Sequence, residues 1–115
     1  MKYIATFLFT YFLVFHSIAH AHVDIENTTP TNHAKLTTSP ETLSLVYSGE
    51  VRIVKLKLTD SSGEKVDFGF KRSADASRSF SWPLPALKKE SYRVNWVVMG
   101  KDGHKMKGLF DFVVE

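Results

Sequence analysis

The chain contains no cysteine. That absence excludes a disulfide-stapled scaffold, a thiolate zinc site, a thioredoxin-type redox centre and a cysteine nucleophile. It also lacks a strong charge of one sign. Its 15 basic residues face 12 acidic ones, and the lysines and arginines are dispersed along the chain. Such a balance does not describe a nucleic-acid binder, and no nucleic-acid partner is expected. No apolar run reaches the ~20 residues that a helix needs to cross a bilayer. There is no glycine-rich phosphate loop, internal repeat, low-complexity tract or interdomain linker. At 43% hydrophobic residues in a chain of 115, the composition is that of one folded domain and not of a disordered chain.

What is present begins with an address. Lys2 is the only charged side chain among the first 21 residues, Tyr3 to Phe15 is almost wholly apolar, and Ala19-His20-Ala21 supplies small residues around a cleavage point. A basic start, an apolar middle and a small-x-small end describe a secretory signal peptide. Cleavage after Ala21 is expected, leaving residues 22–115 as the mature domain with His22 at its amino end. Ser17-Ile18-Ala19 offers a second acceptable site, which would leave His20 first.

Beyond residue 21 the hydrophobic pattern has a period of two. Bulky residues recur at Leu43, Leu45 and Tyr47; at Val54, Leu56 and Leu58; at Val66, Phe68 and Phe70; at Phe80, Trp82 and Leu84; at Tyr92, Val94, Trp96 and Val98; and at Phe110, Phe112 and Val114. Alternation of this kind marks strands with one face buried. Turn signals separate the runs at Thr29-Pro30-Thr31-Asn32, Ser39-Pro40, Asp60-Ser61-Ser62-Gly63 and Asp102-Gly103. Pro83 and Pro85 demote the end of the Phe80 run to an edge or a bend. With a first strand near Val23–Glu26, about seven short strands are expected. That is an all-β chain, a small Greek-key sandwich or barrel. Trp82 and Trp96 are expected in its core.

Two segments far apart in sequence carry the chemistry. A histidine at a free amino terminus can close one chelate ring through its amine and Nδ1, which no internal residue can imitate. Nitrogen donors in a flat arrangement suit Cu(II), the divalent ion at the top of the affinity order. Imidazole binds metal only when neutral, so affinity should fall with acid. The second segment is Met99-Gly100-Lys101-Asp102-Gly103-His104-Lys105, read as a hairpin loop. In an extended chain Asp102 and His104 would point to the same side and offer one carboxylate oxygen and one imidazole nitrogen to a single ion. An ordinary Asp-Gly turn with an exposed histidine beside it is the plainer alternative. His33, in Thr31-Asn32-His33-Ala34, reads as a surface turn residue.

Taken together these segments resemble the CopC family of periplasmic copper-binding, copper-resistance proteins. The likeness runs from the Ala-His-Ala end of the signal and His22, through Thr29-Pro30 and Ser39-Pro40-Glu41 leading to Leu43-x-Leu45-x-Tyr47-Ser48, to Tyr92-x-Val94-x-Trp96, Asp102-Gly103-His104 and Gly108-x-Phe110-x-Phe112. The resemblance implies a cupredoxin- or immunoglobulin-like β fold and one Cu(II) per chain. It implies a histidine brace in which His22 binds through amine and Nδ1, and Asp102 and His104 complete the site. It further implies a periplasmic location and an inner-membrane partner of the CopD type; a monomer is expected. Two departures stand out. Where some relatives carry a glutamate after the Tyr-Ser pair, this chain has Gly49, with Glu50 one residue later. A shift of one residue in a strand reverses side-chain direction, so Glu50 is expected away from the metal unless the strand bulges. Only Met99 and Met106 remain after the signal, too few for a methionine-rich Cu(I) loop. A binding protein, not an enzyme, is the reading these features favour. A histidine-brace oxidative copper enzyme and a metal-free β interaction module are its rivals.

Overall fold

The computed structural model describes residues 23–115. Six strands occur among them: β1 (Ile25–Thr29), β2 (Ala34–Leu36), β3 (Thr42–Asp60), β4 (Ser77–Pro83), β5 (Ser91–Met99) and β6 (Lys105–Val114). No helix occurs among the described residues. The all-β class expected from the alternation is therefore the one observed.

The long strand β3 organises everything else. Its first half pairs antiparallel with β1, from Thr29↔Ser44 to Ile25↔Tyr47, and with β4, from Thr42↔Pro83 to Val46↔Ser79. Its second half pairs antiparallel with β5, from Arg52↔Met99 to Asp60↔Tyr92. Strand β5 then pairs with β6, and β2 closes that side parallel to β6. One strand thus passes from a three-stranded layer to a four-stranded one, and the sheet curls around a single core.

Two runs expected as separate strands, Leu43–Tyr47 and Val54–Leu58, are halves of β3. Ser48-Gly49-Glu50 does not turn the chain. Leu43, Leu45, Tyr47, Val51 and Ile53 are all buried, so the inward phase runs straight through Gly49. A bulge between Ile53 and Lys55 then resets it, and Leu56 and Leu58 face inward. Two further differences bring the total to six rather than about seven. The Val66–Phe70 run is not a strand: Gly69 has φ +78° and its N–H donates to the Asp67 carboxylate at 3.0 Å, which breaks the extended backbone. Its alternation is used another way, because Phe68 and Phe70 pack edge-on against Trp82 at 6.3 and 6.1 Å. The short β2 carries too little pattern to be read in sequence. It forms because His33, at φ +65°, donates its N–H to the Asp111 carbonyl and docks the chain on β6. His33 is exposed, as its turn position suggests.

The core joins Leu43, Leu45, Tyr47, Val51, Ile53, Leu56 and Leu58 of β3 to Tyr92, Val94, Trp96 and Val98 of β5 and Phe110, Phe112 and Val114 of β6. Trp96 is buried at its centre, edge-on to Tyr47 at 5.5 Å. Trp82 is half-buried in a satellite cluster, stacked on Phe80 at 6.1 Å. The Tyr47 hydroxyl is buried without a hydrogen-bond partner, and its burial pushes its pKa above the ordinary tyrosine range.

Two aspartates tie strand ends together. Asp111 accepts Nε and Nη2 of Arg93 at 2.8 and 3.2 Å, and the guanidinium holds its carboxyl below the usual range. Asp60 accepts the Ser62 hydroxyl at 2.6 Å and the Ser62 and Glu64 N–H groups at 2.9 and 3.0 Å, which lowers it too. A carboxyl depressed in the folded state stabilises fully above its unfolded pKa and loses that contribution as pH falls through the folded value. The melting temperature should therefore drop as pH falls below about 4, where an unfolded aspartate begins to protonate. Asp111→Asn should flatten that drop slightly and lower neutral stability by the same small amount, since the pair is largely exposed. Circular-dichroism melts across the acid range check both.

Candidate metal centre

The hairpin joining β5 to β6 closes with Gly100-Lys101-Asp102-Gly103-His104. The Gly103 N–H donates to the Gly100 carbonyl at 3.0 Å, and the Gly100 N–H to the His104 carbonyl at 3.0 Å. Gly103 has φ +82°, a left-handed conformation that a Cβ would strain. Asp102 sits inside this turn, and both of its carboxylate oxygens reach forward. Oδ1 accepts the His104 N–H at 3.0 Å, and Oδ2 lies 2.7 Å from His104 Nδ1. A side chain at Gly100 would bring its Cβ within 3.1 Å of Asp102 Oδ1, so glycine there leaves the carboxylate its place.

The structure thus brings Asp102 and His104 together, but through a turn and not an extended segment. The two side chains meet each other before they meet a third party. The hydrogen bonds from His104 hold the Asp102 carboxyl below its usual range, so it is a carboxylate at neutral pH. With a carboxylate on Nδ1–H, the neutral imidazole keeps its lone pair on Nε2. Nε2 is then the nitrogen left for a metal ion, and the ring is 85% exposed. A carboxylate that orients a ligating histidine through its other nitrogen is a common support for such a ligand. Asp102 is placed for that role; to touch an ion itself, Oδ2 must leave Nδ1.

His22 lies outside the described residues. The residues that follow it are held firmly. The Asp24 N–H donates to Ser48 Oγ at 2.8 Å, and the Ser48 N–H donates to the Asp24 carbonyl at 2.8 Å. Val23 lies against Gly49, where its Cγ2 would be 3.1 Å from any Cβ. Since β1 and β3 are antiparallel, Val23, at the amino-terminal end of β1, lies beside Gly49 and next to Glu50 along β3. Glu50 in turn pairs with Lys101 of the metal-candidate loop, Oε2 to Nζ at 3.1 Å. Residues 49–52 of β3 are therefore a common floor reached by the amino-terminal end of β1 and by the β5–β6 loop, with Arg52 paired to Met99.

Sequence reasoning missed the part played by Gly49, which accommodates Val23; a glycine inside an alternating run was the available signal. It also missed the Glu50–Lys101 pair. Glu50 faces outward, as the register argument requires. Met99 and Met106 lie on opposite faces of the hairpin, one beside Lys105 outside and the other packed against the core. Among the described residues no three His, Asp or Glu side chains are arranged to hold a metal ion. The loop supplies two groups, and any further donor comes from elsewhere.

The comparisons with known proteins bear on this arrangement directly. The CopC domain model matches residues 25–115, which is most of the chain. The chain belongs to the CopC family. Protein YobA of Escherichia coli K12 is 32% identical over 101 residues, 84% of this chain and 80% of its own length. The crystal structure of CopC from Methylosinus trichosporium OB3b superposes with a TM-score of 0.69 at 28% identity, covering 82% of this chain and 94% of that one. PcoC of Escherichia coli, a methionine-rich copper resistance protein, superposes with a TM-score of 0.66 over 83% of this chain and all of its own; at 24% identity it speaks for the fold alone. The CopC match begins at Ile25, just after the clamp residues Val23 and Asp24, and covers the Asp102–His104 loop.

Proposed function

We propose that this chain is an exported copper-binding protein of copper resistance and homeostasis, which holds one Cu(II) and sequesters or delivers it in the periplasm. The observation that carries the reading is the Asp102–His104 pair, an exposed imidazole with Nδ1 tied to a carboxylate and Nε2 left over. Cleavage after Ala21 would make His22 the first residue, with its amine and Nδ1 as a second nitrogen pair. The clamp of Asp24 on Ser48 and the Glu50–Lys101 pair favour closure of the two segments on one ion. The brace would then consist of His22 through two nitrogens and His104 through Nε2, with Asp102 orienting His104 or contributing an oxygen.

Copper is cargo in this reading, and the chain is not an enzyme. Nitrogen and oxygen donors hold Cu(II) better than Cu(I), so reduction, acid or a partner's softer ligands would release it. A CopD-type membrane transporter is the partner that fits delivery, and a monomer suffices for the site.

Native mass spectrometry of the exported protein tests this in one spectrum. A chain beginning at His22 and carrying one Cu(II) is expected. A chain beginning at His20 would move the free amine away from His22 and leave the loop without its assigned partner.

A further inference from the structure

Three successive cross-strand rows on the outward face of the four-stranded layer carry charge of one sign, and the next row, Thr59–Arg93–Asp111, holds an acid already paired with Arg93. Opposite the core, the cross-strand rows read Arg52–Met99–Lys105, Lys55–Val97–Lys107 and Lys57–Asn95–Leu109. Those nine positions hold five cations and no acid. None of the five makes an ion pair among the described residues, whose carboxylates nearby are engaged or aside: Glu50 with Lys101, Asp111 with Arg93, and Asp67 turned to the Gly69 N–H. In the last row Leu109 is 52% exposed, the one large hydrophobic side chain left so open among the described residues. An open depression of about 590 Å³ runs between Lys55, Lys57, Lys107 and Leu109.

We propose that this face docks on an anionic phospholipid bilayer. Strand addition uses the backbone groups of a sheet edge, whereas these five side chains stand out from the face of the sheet. Four of the five cations are lysines, mobile point charges without the planar fork that selects one carboxylate. Diffuse charge around a single apolar side chain suits a diffuse anionic surface, where the lysines meet lipid phosphates and Leu109 enters the interface. Lys105 directly follows His104, so a chain lying this way holds its metal-candidate loop at the edge of the bilayer. Nothing in this depends on the copper reading.

Flotation of the exported protein with lipid vesicles tests the assignment, with and without copper. Binding is expected to vesicles of phosphatidylglycerol and phosphatidylethanolamine, to be absent with phosphatidylcholine alone, and to weaken steeply with salt. Each lysine near such a surface is worth about fivefold in partitioning, so the triple variant Lys55→Gln, Lys57→Gln, Lys107→Gln should bind roughly a hundredfold more weakly. Leu109→Ser should lose a few-fold. Circular dichroism confirms that each variant is folded. Equal binding to both vesicle types, or a triple variant that binds like the parent, overturns the proposal. So does retention on immobilised polyglutamate without vesicle binding, which would assign the face to an acidic protein instead.

Discussion

His104→Ala is expected to abolish copper binding at the proposed site while leaving the melting temperature unchanged without copper. The imidazole is 85% exposed and packs against nothing in the core, so its removal creates no cavity. In the proposed site it is the only nitrogen donor from the loop. Losing a residue that merely orients a ligand typically weakens metal affinity by roughly 10- to 100-fold. Losing the ligand itself should exceed roughly 100-fold. Asp102→Asn separates the two roles open to the carboxylate. If Asp102 acts through the 2.7 Å contact to Nδ1, its loss falls in that lower range. A loss as large as that of His104→Ala marks Asp102 as a direct ligand. Competition titration against a Cu(II) chelator of known affinity reads both variants, and parental affinity in His104→Ala would sink the brace.

The second large effect concerns the fold. Gly108 pairs across the strands with Trp96, and both face the core. A Cβ on Gly108 would lie 2.3 Å from Cζ2, 2.7 Å from Cε2 and 3.1 Å from Cη2 of the indole. These are atoms of a rigid ring that Tyr47 blocks from the side at 5.5 Å. Trp96 can give way only by disturbing Tyr47 or by separating β5 from β6. Overpacking of a well-filled core costs about 1–3 kcal/mol and at times more. A domain of this size loses about 4–8 °C per kcal/mol. Gly108→Ala should therefore melt about 10 °C or more below the parent. Pairing it with Trp96→Leu should recover part of the loss, since the two positions share one space. An unchanged melting temperature for the single variant would show that the indole has room to move.

That contact also shows how far the sequence could be read. The Gly-x-Phe-x-Phe pattern at residues 108–112 is visible as a motif, but its reason is a partner twelve residues earlier. The alternation of β5 and β6 was legible because both strands bury one face throughout. The continuity of β3 was not, because Gly49 removes the side chain that would have carried the pattern, and the bulge near Val54 reverses it. Val66–Phe70 misled in the opposite sense. Its aromatic alternation serves a cluster around Trp82 and no sheet, and the left-handed Gly69 gives no sign of its conformation in sequence. At the candidate site, the residues of the loop were legible as a pair. Their relation was not, because an extended segment and a tight turn place residues two apart quite differently.

The passage of β3 through both layers limits how the molecule can come apart. A sandwich whose sheets share no strand can in principle open like a book, each leaf keeping its own hydrogen bonds. Here the leaves share a spine, and pulling β1 from β3 strips the same strand that β5 needs a few residues on. Local opening should therefore be confined to the loops and to the short β2, while β1, β3, β5 and β6 exchange their amide protons only in near-global unfolding. Segments that meet at residues 49–52 are in that case held by the most slowly opening part of the protein, even though the groups they present are exposed. A metal-candidate loop that is open to solvent thus stands on a base that seldom yields.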